Sequence, residues 1–295
     1  MNDFFDADVW EKAWKEESDL RLDRMKRSGI DPTRSFDQKA KMFNEQSFSE
    51  EGRERSRRIM NWLEGQGVQF QNASILDIGA ASGVFTVPFA ERGAQITAVE
   101  TSPPLVELLQ ENTSKFAEQV NIVPLPFEEI DVVSQGWRNE FDLVFVSMSP
   151  VVHNWESVEK LLQCARQYCY ISMPVVPSEH SLVKEIWPLV TGQPYQSKLT
   201  EMSYLLHLLY LKDYAYETLI TREVKTTEIS REAAFQEAVT WLGHHRLPAD
   251  ERNRSIISDY LEQAYPSGKV VIQEGGRYGK VLVRLQNQNM HTRDI

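Results

Sequence analysis

A strict alternation of apolar, β-rich runs and helical stretches between residues 74 and 173 constrains this chain more than any other feature. Ser74-Ile75-Leu76-Asp77-Ile78 reads as a first strand, and residues 95–100, 120–125, 141–146 and 168–173 as four more. Helical stretches at 83–92, 104–116 and 158–167 lie between them. The fourth run, Phe141-Asp142-Leu143-Val144-Phe145-Val146, is almost wholly apolar, as a strand covered on both faces must be. This spacing predicts an α/β fold with a doubly wound, mostly parallel sheet. Right-handed crossovers then gather the carboxyl ends of the strands on one edge, where a ligand is expected.

The flanks are different. Residues 1–70 read as an N-terminal helical segment, with Trp10 and Trp14 on an amphipathic stretch and a break at Gly29-Ile30-Asp31-Pro32. A second helix is expected from Phe36 and a third over 49–63. The core spans 71–175. Beyond it, 176–213 reads as a helical cap rich in Leu, Tyr and Trp. Residues 214–295 supply the rest of the core sheet, with a strand at 216–221, a helical segment at 230–264 and a closing hairpin over 269–285.

Charge narrows the partners. A formal net charge of −11 disfavours nucleic acid in the absence of a basic patch. The densest basic run, Arg53, Arg55, Arg57 and Arg58, is interleaved with Glu50, Glu51 and Glu54 and reads as a solvated helix face. No apolar run approaches a membrane span, and the acidic start of the chain does not resemble a secretory signal, so a cytoplasmic location is expected. Cys164 and Cys169 fit neither a redox pair nor a zinc set, and are expected to be buried small hydrophobes.

The chemistry concentrates in Asp77-Ile78-Gly79-Ala80-Ala81-Ser82-Gly83. A strand ends in a turn of small residues and a helix follows. Such a turn lets backbone pass close under a ligand and presents free N–H groups to it. Asp77 is placed to receive a cationic amine. Glu100, 17 residues after Gly83 at the end of the second strand, is placed to accept two hydrogen bonds from a ribose diol. The acid precedes the glycines and a small residue replaces the middle one, unlike the dinucleotide fingerprint.

On these residues the chain resembles the class I S-adenosylmethionine (SAM) dependent methyltransferases, particularly their small-molecule branch. The resemblance covers roughly residues 36–173. It implies a Rossmann-like seven-stranded sheet, SAM as cofactor and S-adenosylhomocysteine as product. It also implies a cofactor site built from Asp77, Gly79, Ala80, Ala81, Gly83, Glu100 and Thr101, with Ala81 where the family usually carries Gly. Phe36-Asp37-Gln38-Lys39-Ala40-Lys41-Met42-Phe43 resembles the family's N-terminal segment, in which Phe43 would cover the methionine end. After the third strand, Pro126 stands where an adenine-contacting acid is usual, leaving Phe127 and Glu128 as the expected contacts. Ser147 stands where the family's cofactor meets its acceptor and is implied as a cofactor contact; nucleobase- and amide-methylating members carry Asn there, which argues against those substrates.

The acceptor is expected to be a small apolar or aromatic molecule. Met148 and His153 follow the fourth strand, and Tyr204, His207 and Tyr210 are the polar members of the aromatic cap. His153 is the candidate general base, although alignment of nucleophile, methyl and leaving sulfur supplies much of the rate without one. Two other readings share the sheet: a nucleotide-binding oxidoreductase, and a methyltransferase-like scaffold without activity. The sequence assigns neither a metal nor an oligomeric state.

Overall fold

The computed structural model describes residues 3–27, 34, 37–175, 179–195, 201–244 and 247–286. The break at residues 29–32 and Phe36 lie outside the described residues. The chain divides into two compact units. The first comprises 1–173, 203–219 and 280–295, and the second 174–202 and 220–279.

The first unit is built on strands β1 (Ser74–Ile78), β2 (Gln95–Val99), β3 (Val120–Val123), β4 (Phe141–Ser147) and β5 (Ala165–Pro174). They pair in the order β3-β2-β1-β4-β5, and all four pairings are parallel. Strand β8 (Lys269–Arg284) continues the sheet beside β5, and β7 (Ala215–Ser230) pairs with β8. The N–H of Leu285 donates to the carbonyl of Gln167, and that of Val175 to Arg277. One chain advances as the other retreats, so β8 runs antiparallel to β5. A mostly parallel sheet with one reversed strand is therefore the outcome of the predicted fold class.

Burial explains the order. β4 lies at the centre, and Leu143, Val144, Phe145 and Val146 are each at most 1% exposed. Phe145 stacks on Tyr170 of β5, with ring centroids 4.6 Å apart and planes 8° from parallel. Such side chains contribute on the order of 1.5–3 kcal/mol each on burial. Helix α3 (Glu50–Gly65) buries Ile59, Met60 and Leu63 in this core, and α4 (Thr86–Glu91) buries Phe89 and Ala90. Arg53, Arg55, Arg57 and Arg58 face solvent, and Arg57 pairs with Glu54. Helices α1 (Ala7–Arg27), α2 (Ala40–Ser47), α5 (Pro103–Asn112), α6 (Trp155–Cys164) and α8 (Met202–Leu211) complete this part of the chain. Cys164 and Cys169 are buried free thiols, and burial pushes Cys164 up to about 12.

The second unit holds β6 (Glu179–His180), α7 (Ser181–Thr191), α9 (Arg231–His244), α10 (Glu251–Ala264) and the inner stretches of β7 and β8. Leu182, Ile186, Ala234, Ala238, Leu242, Ile257, Leu261, Val270 and Ile272 form its own core. Two sequence expectations fail here. The strand expected at 216–221 runs 16 residues, and the expected hairpin over 269–285 is one continuous 16-residue strand. Gly275 and Gly276 suggested a turn, but Gly275 is extended at φ 157. A Cβ there would sit against the carbonyl of Glu223, so glycine at 275 permits close strand approach rather than reversal.

Candidate active site

The strand order reverses direction between β1 and β4, and the carboxyl ends of β1, β2 and β4 meet there. In a doubly wound sheet this is the ligand crevice. The first turn leaves β1 through Gly79, Ala81 and Gly83, whose φ angles are 73°, 51° and 92°. Three left-handed residues in five make a compact curl, and Ala81 adopts it despite its Cβ. Gly79 is required for space as well, since a Cβ there would lie 2.8 Å from Ser149 Oγ. The N–H groups of Gly79 and Ala80 donate to the carbonyl of Val99, tying the curl to β2.

Two carboxylates face this curl. Glu100 Oε2 accepts the N–H of Ala81 at 2.8 Å, and Oε1 accepts those of Thr101 and Ser102 at 2.7 and 2.9 Å. Three of about four acceptor positions of the carboxylate are thus filled by backbone, leaving capacity for one further donor. Asp77 is 2% exposed, and Thr86 Oγ1 donates to its Oδ2 at 2.6 Å. Burial pushes the Asp77 carboxyl up to about 7, the Thr86 bond opposes the rise and the Glu100 charge adds to it. A buried acid in this condition is prepared for a cation, which would restore its ionised form.

The N-terminal segment braces the same curl. Asp37 Oδ1 accepts from Ser102 Oγ at 2.6 Å. Asn112 Nδ2 donates both to Asn44 Oδ1 at 2.9 Å and to the Ser82 carbonyl at 2.8 Å. Phe43, on α2 beside Asn44, is half-buried. Ser82 Oγ is fully buried without a hydrogen-bond partner among the described residues. Thr86, Asn112, Asn44 and Ser149 were not read from the sequence as site residues. Thr86 alone had a signal, as the polar residue three places past Gly83.

After β3, Phe127 is 2% exposed and Lys160 Nζ lies 4.9 Å from its ring centroid. Lys160 also donates to the carbonyls of Phe127 and Glu128 at 2.7 and 2.9 Å. Phe127 therefore anchors this loop inward, while the Glu128 side chain is exposed and Leu125 stands 49% exposed at the strand end. After β4, Ser147 Oγ lies 3.0 Å from Ser172 Oγ. Met148 adopts φ 55 with its N–H on the Ser172 carbonyl and its side chain 48% exposed. His153 is half-buried, and its Nδ1 lies 2.9 Å from the Val151 carbonyl. A carbonyl only accepts, so Nδ1 carries the proton and Nε2 is the basic nitrogen.

The expected cap residues divide. Tyr204 stacks on Trp14 at 6.0 Å and 10°, and its hydroxyl donates to Glu17 at 2.9 Å. His207 Nε2 lies 2.8 Å from the Phe4 carbonyl, and its ring sits 4.4 Å from Trp10. Both hold the start of the chain and α1. Tyr210 is 65% exposed.

With this geometry in view, residues 75–169 match a family model described as a methyltransferase domain. The matched stretch runs from β1 into β5 and so contains the curl and both acids. Asp77, Glu100 and the left-handed curl are the groups of this stretch that would hold a SAM molecule. A 58-residue stretch is 38% identical to EEF1A lysine methyltransferase 2 of Danio rerio, covering 19% of this chain and 24% of that protein. The chain thus spans about a quarter of that relative's length. Among solved structures, the YcgJ protein of Bacillus subtilis is similar at 14% identity and TM-score 0.48, over 80% of this chain and 100% of that one. The magnesium protoporphyrin IX methyltransferase of Synechocystis, solved with bound SAH, gives 16% identity and TM-score 0.42 over 57% and 76%. No described helix is long and apolar enough to cross a membrane.

Proposed function

We propose that the chain transfers a methyl group from SAM to a small apolar or aromatic molecule. The observation that carries this reading is the edge after β4. There Met148 is 48% exposed at φ 55, with the hydroxyls of Ser147 and Ser172 beside it. An exposed apolar side chain next to Ser147 in sequence, at an edge with neutral hydroxyls, suits a neutral, weakly polar acceptor.

When bound, SAM supplies an electrophilic methyl on sulfur. Asp77 would hold its ammonium group and the last acceptor position of Glu100 would take a ribose hydroxyl. The N-terminal segment, braced through Asn44 and Asp37, would place Phe43 over the methionine end. His153 Nε2 would accept a proton from an acceptor hydroxyl or amine, with the Val151 carbonyl at Nδ1 stabilising the protonated ring. Alignment of acceptor and methyl supplies the greater part of the rate.

A protein lysine is the second reading, favoured by the short stretch shared with EEF1A lysine methyltransferase 2. The test begins with calorimetric titration of the ligand-stripped chain with SAM and S-adenosylhomocysteine. It continues with transfer of a labelled methyl to a panel of aromatic small molecules and, separately, to lysine-rich proteins. Label in the small-molecule fraction supports the reading. Label confined to protein transfers it to lysine. Micromolar SAM binding without transfer to either class points to a regulatory, inactive subunit, and absence of binding overturns the cofactor assignment.

A further inference from the structure

The second unit contains a cluster that the methyltransferase chemistry does not use. His180, Glu237 and Glu274 each offer one ligand atom, and the three atoms lie within 4.8 Å of one another. His180 ends β6 and stands directly opposite Glu274 on β8 in an antiparallel register, which puts both side chains on one face of the pair. Glu237 comes from α9, one turn before Trp241, whose ring lies 5.7 Å from that of His180. Three separate elements thus converge on one point.

The burial of the imidazole gives the cluster its meaning. His180 is 5% exposed, and neither ring nitrogen has a hydrogen-bond partner among the described residues. Its Nε2 faces Glu237 Oε2 at 3.6 Å, and that oxygen is likewise buried and unpartnered among the described residues. Buried polar atoms are nearly always satisfied, so an imidazole and a carboxylate turned toward each other beyond hydrogen-bond distance call for a shared partner. Glu237 and Glu274 are half-buried, which leaves a route from solvent.

We propose that His180, Glu237 and Glu274 bind a divalent first-row transition metal, with zinc as the representative ion. One imidazole nitrogen and two carboxylate oxygens suit a cation of borderline hardness, and two negative charges offset its own. Tetrahedral zinc with bonds of about 2.0–2.1 Å needs ligand atoms roughly 3.3 Å apart. The His180–Glu237 pair at 3.6 Å is close to that value, and the half-buried glutamates can rotate to close the set. The fourth position is left to water. The metal would clamp β6, α9 and β8 of this unit.

The full chain, stripped with chelator, is titrated with cobalt(II) and followed by visible absorption, then with zinc in competition. The expected result is one metal per chain, with ligand-field bands of four- or five-coordinate cobalt that zinc abolishes. His180→Ala removes the buried ligand, and Glu274→Gln, at a half-buried position, preserves the shape of the site and is checked for folding by circular dichroism. Each is expected to weaken zinc binding at least 100-fold. No stoichiometric metal, or metal bound equally by a folded Glu274→Gln variant, overturns the proposal. SAM binding is measured in parallel, so that failure of the metal site and failure of the methyltransferase reading are told apart.

Discussion

Glu100 Oε2 accepts the backbone N–H of Ala81 at 2.8 Å, so the acid that ends β2 holds the one residue of the cofactor turn that carries a side chain in a left-handed conformation. Glu100 is therefore a brace for the turn, in addition to the ribose-accepting role proposed for it. The two roles separate experimentally. Glu100→Gln keeps one oxygen and the shape, but presents an amide N–H to backbone donors already crowded there. Glu100→Ala removes the brace altogether. Calorimetry is expected to show SAM affinity reduced by roughly 2–3 kcal/mol in Glu100→Ala, with a smaller loss in Glu100→Gln. Affinity unchanged in Glu100→Ala would remove the ribose assignment.

Ala81 adopts φ 51, where a Cβ costs about 1–2 kcal/mol and glycine costs nothing. Ala81→Gly relieves that strain but gives the unfolded chain more freedom, worth about 0.5–1 kcal/mol in the opposite sense. The net expectation is a gain of up to about 1 kcal/mol in denaturant unfolding of the first unit, with SAM affinity preserved. A loss of stability would mean that the Ala81 methyl makes packing contacts that outweigh its backbone strain.

The buried acid gives a pH signature. Asp77 ionises near pH 4 in the unfolded chain and near 7 in the folded one. The folded state binds the extra proton between those values, so this group costs stability progressively as pH rises from about 4 to about 7. Asp77→Asn abolishes that cost. Its Oδ1 can still accept from Thr86. Thermal melts at pH 8 are expected to place Asp77→Asn above the parent chain, with the difference vanishing toward pH 4, while SAM binding is lost at every pH. In the parent chain, SAM affinity should climb as pH rises through 7, because the ammonium needs the ionised acid. A flat affinity profile would remove Asp77 from the amine site.

The sheet was legible because its signal is local. Runs such as residues 141–146 announce a buried strand, and the small-residue turn after Asp77 announces the edge where ligands bind. The N-terminal segment was legible too, although its grip on the turn runs through Asn44 and Asn112, two amides 68 residues apart that no spacing rule connects. The long strands β7 and β8 were misread because Gly275 and Gly276 carry the same letters in a turn as in a close strand crossing. Phe127 was expected to offer its face to adenine, yet it is 2% exposed beneath Lys160, a partner 33 residues away on α6. His180, Glu237 and Glu274 meet only through tertiary contacts, and no sequence window contains two of them.

The aromatic cluster on α1 yields the last prediction. Tyr204 and His207, expected in the acceptor pocket, pack on Trp14, Trp10 and Phe4. If their role is to dock α1, Tyr204→Ala loses the stacked Trp14 face and the Glu17 hydrogen bond together, for about 1–3 kcal/mol. Tyr204→Phe loses only the partly exposed hydrogen bond, for less than about 1 kcal/mol. Hydrogen exchange over residues 7–27 reads this directly: protection should fall sharply in Tyr204→Ala and barely move in Tyr204→Phe. A pocket role predicts the opposite pattern, with Tyr204→Phe raising KM for the acceptor while exchange in α1 stays as it is. Docking of α1 through Tyr204 therefore fails if the alanine variant leaves residues 7–27 as protected as before.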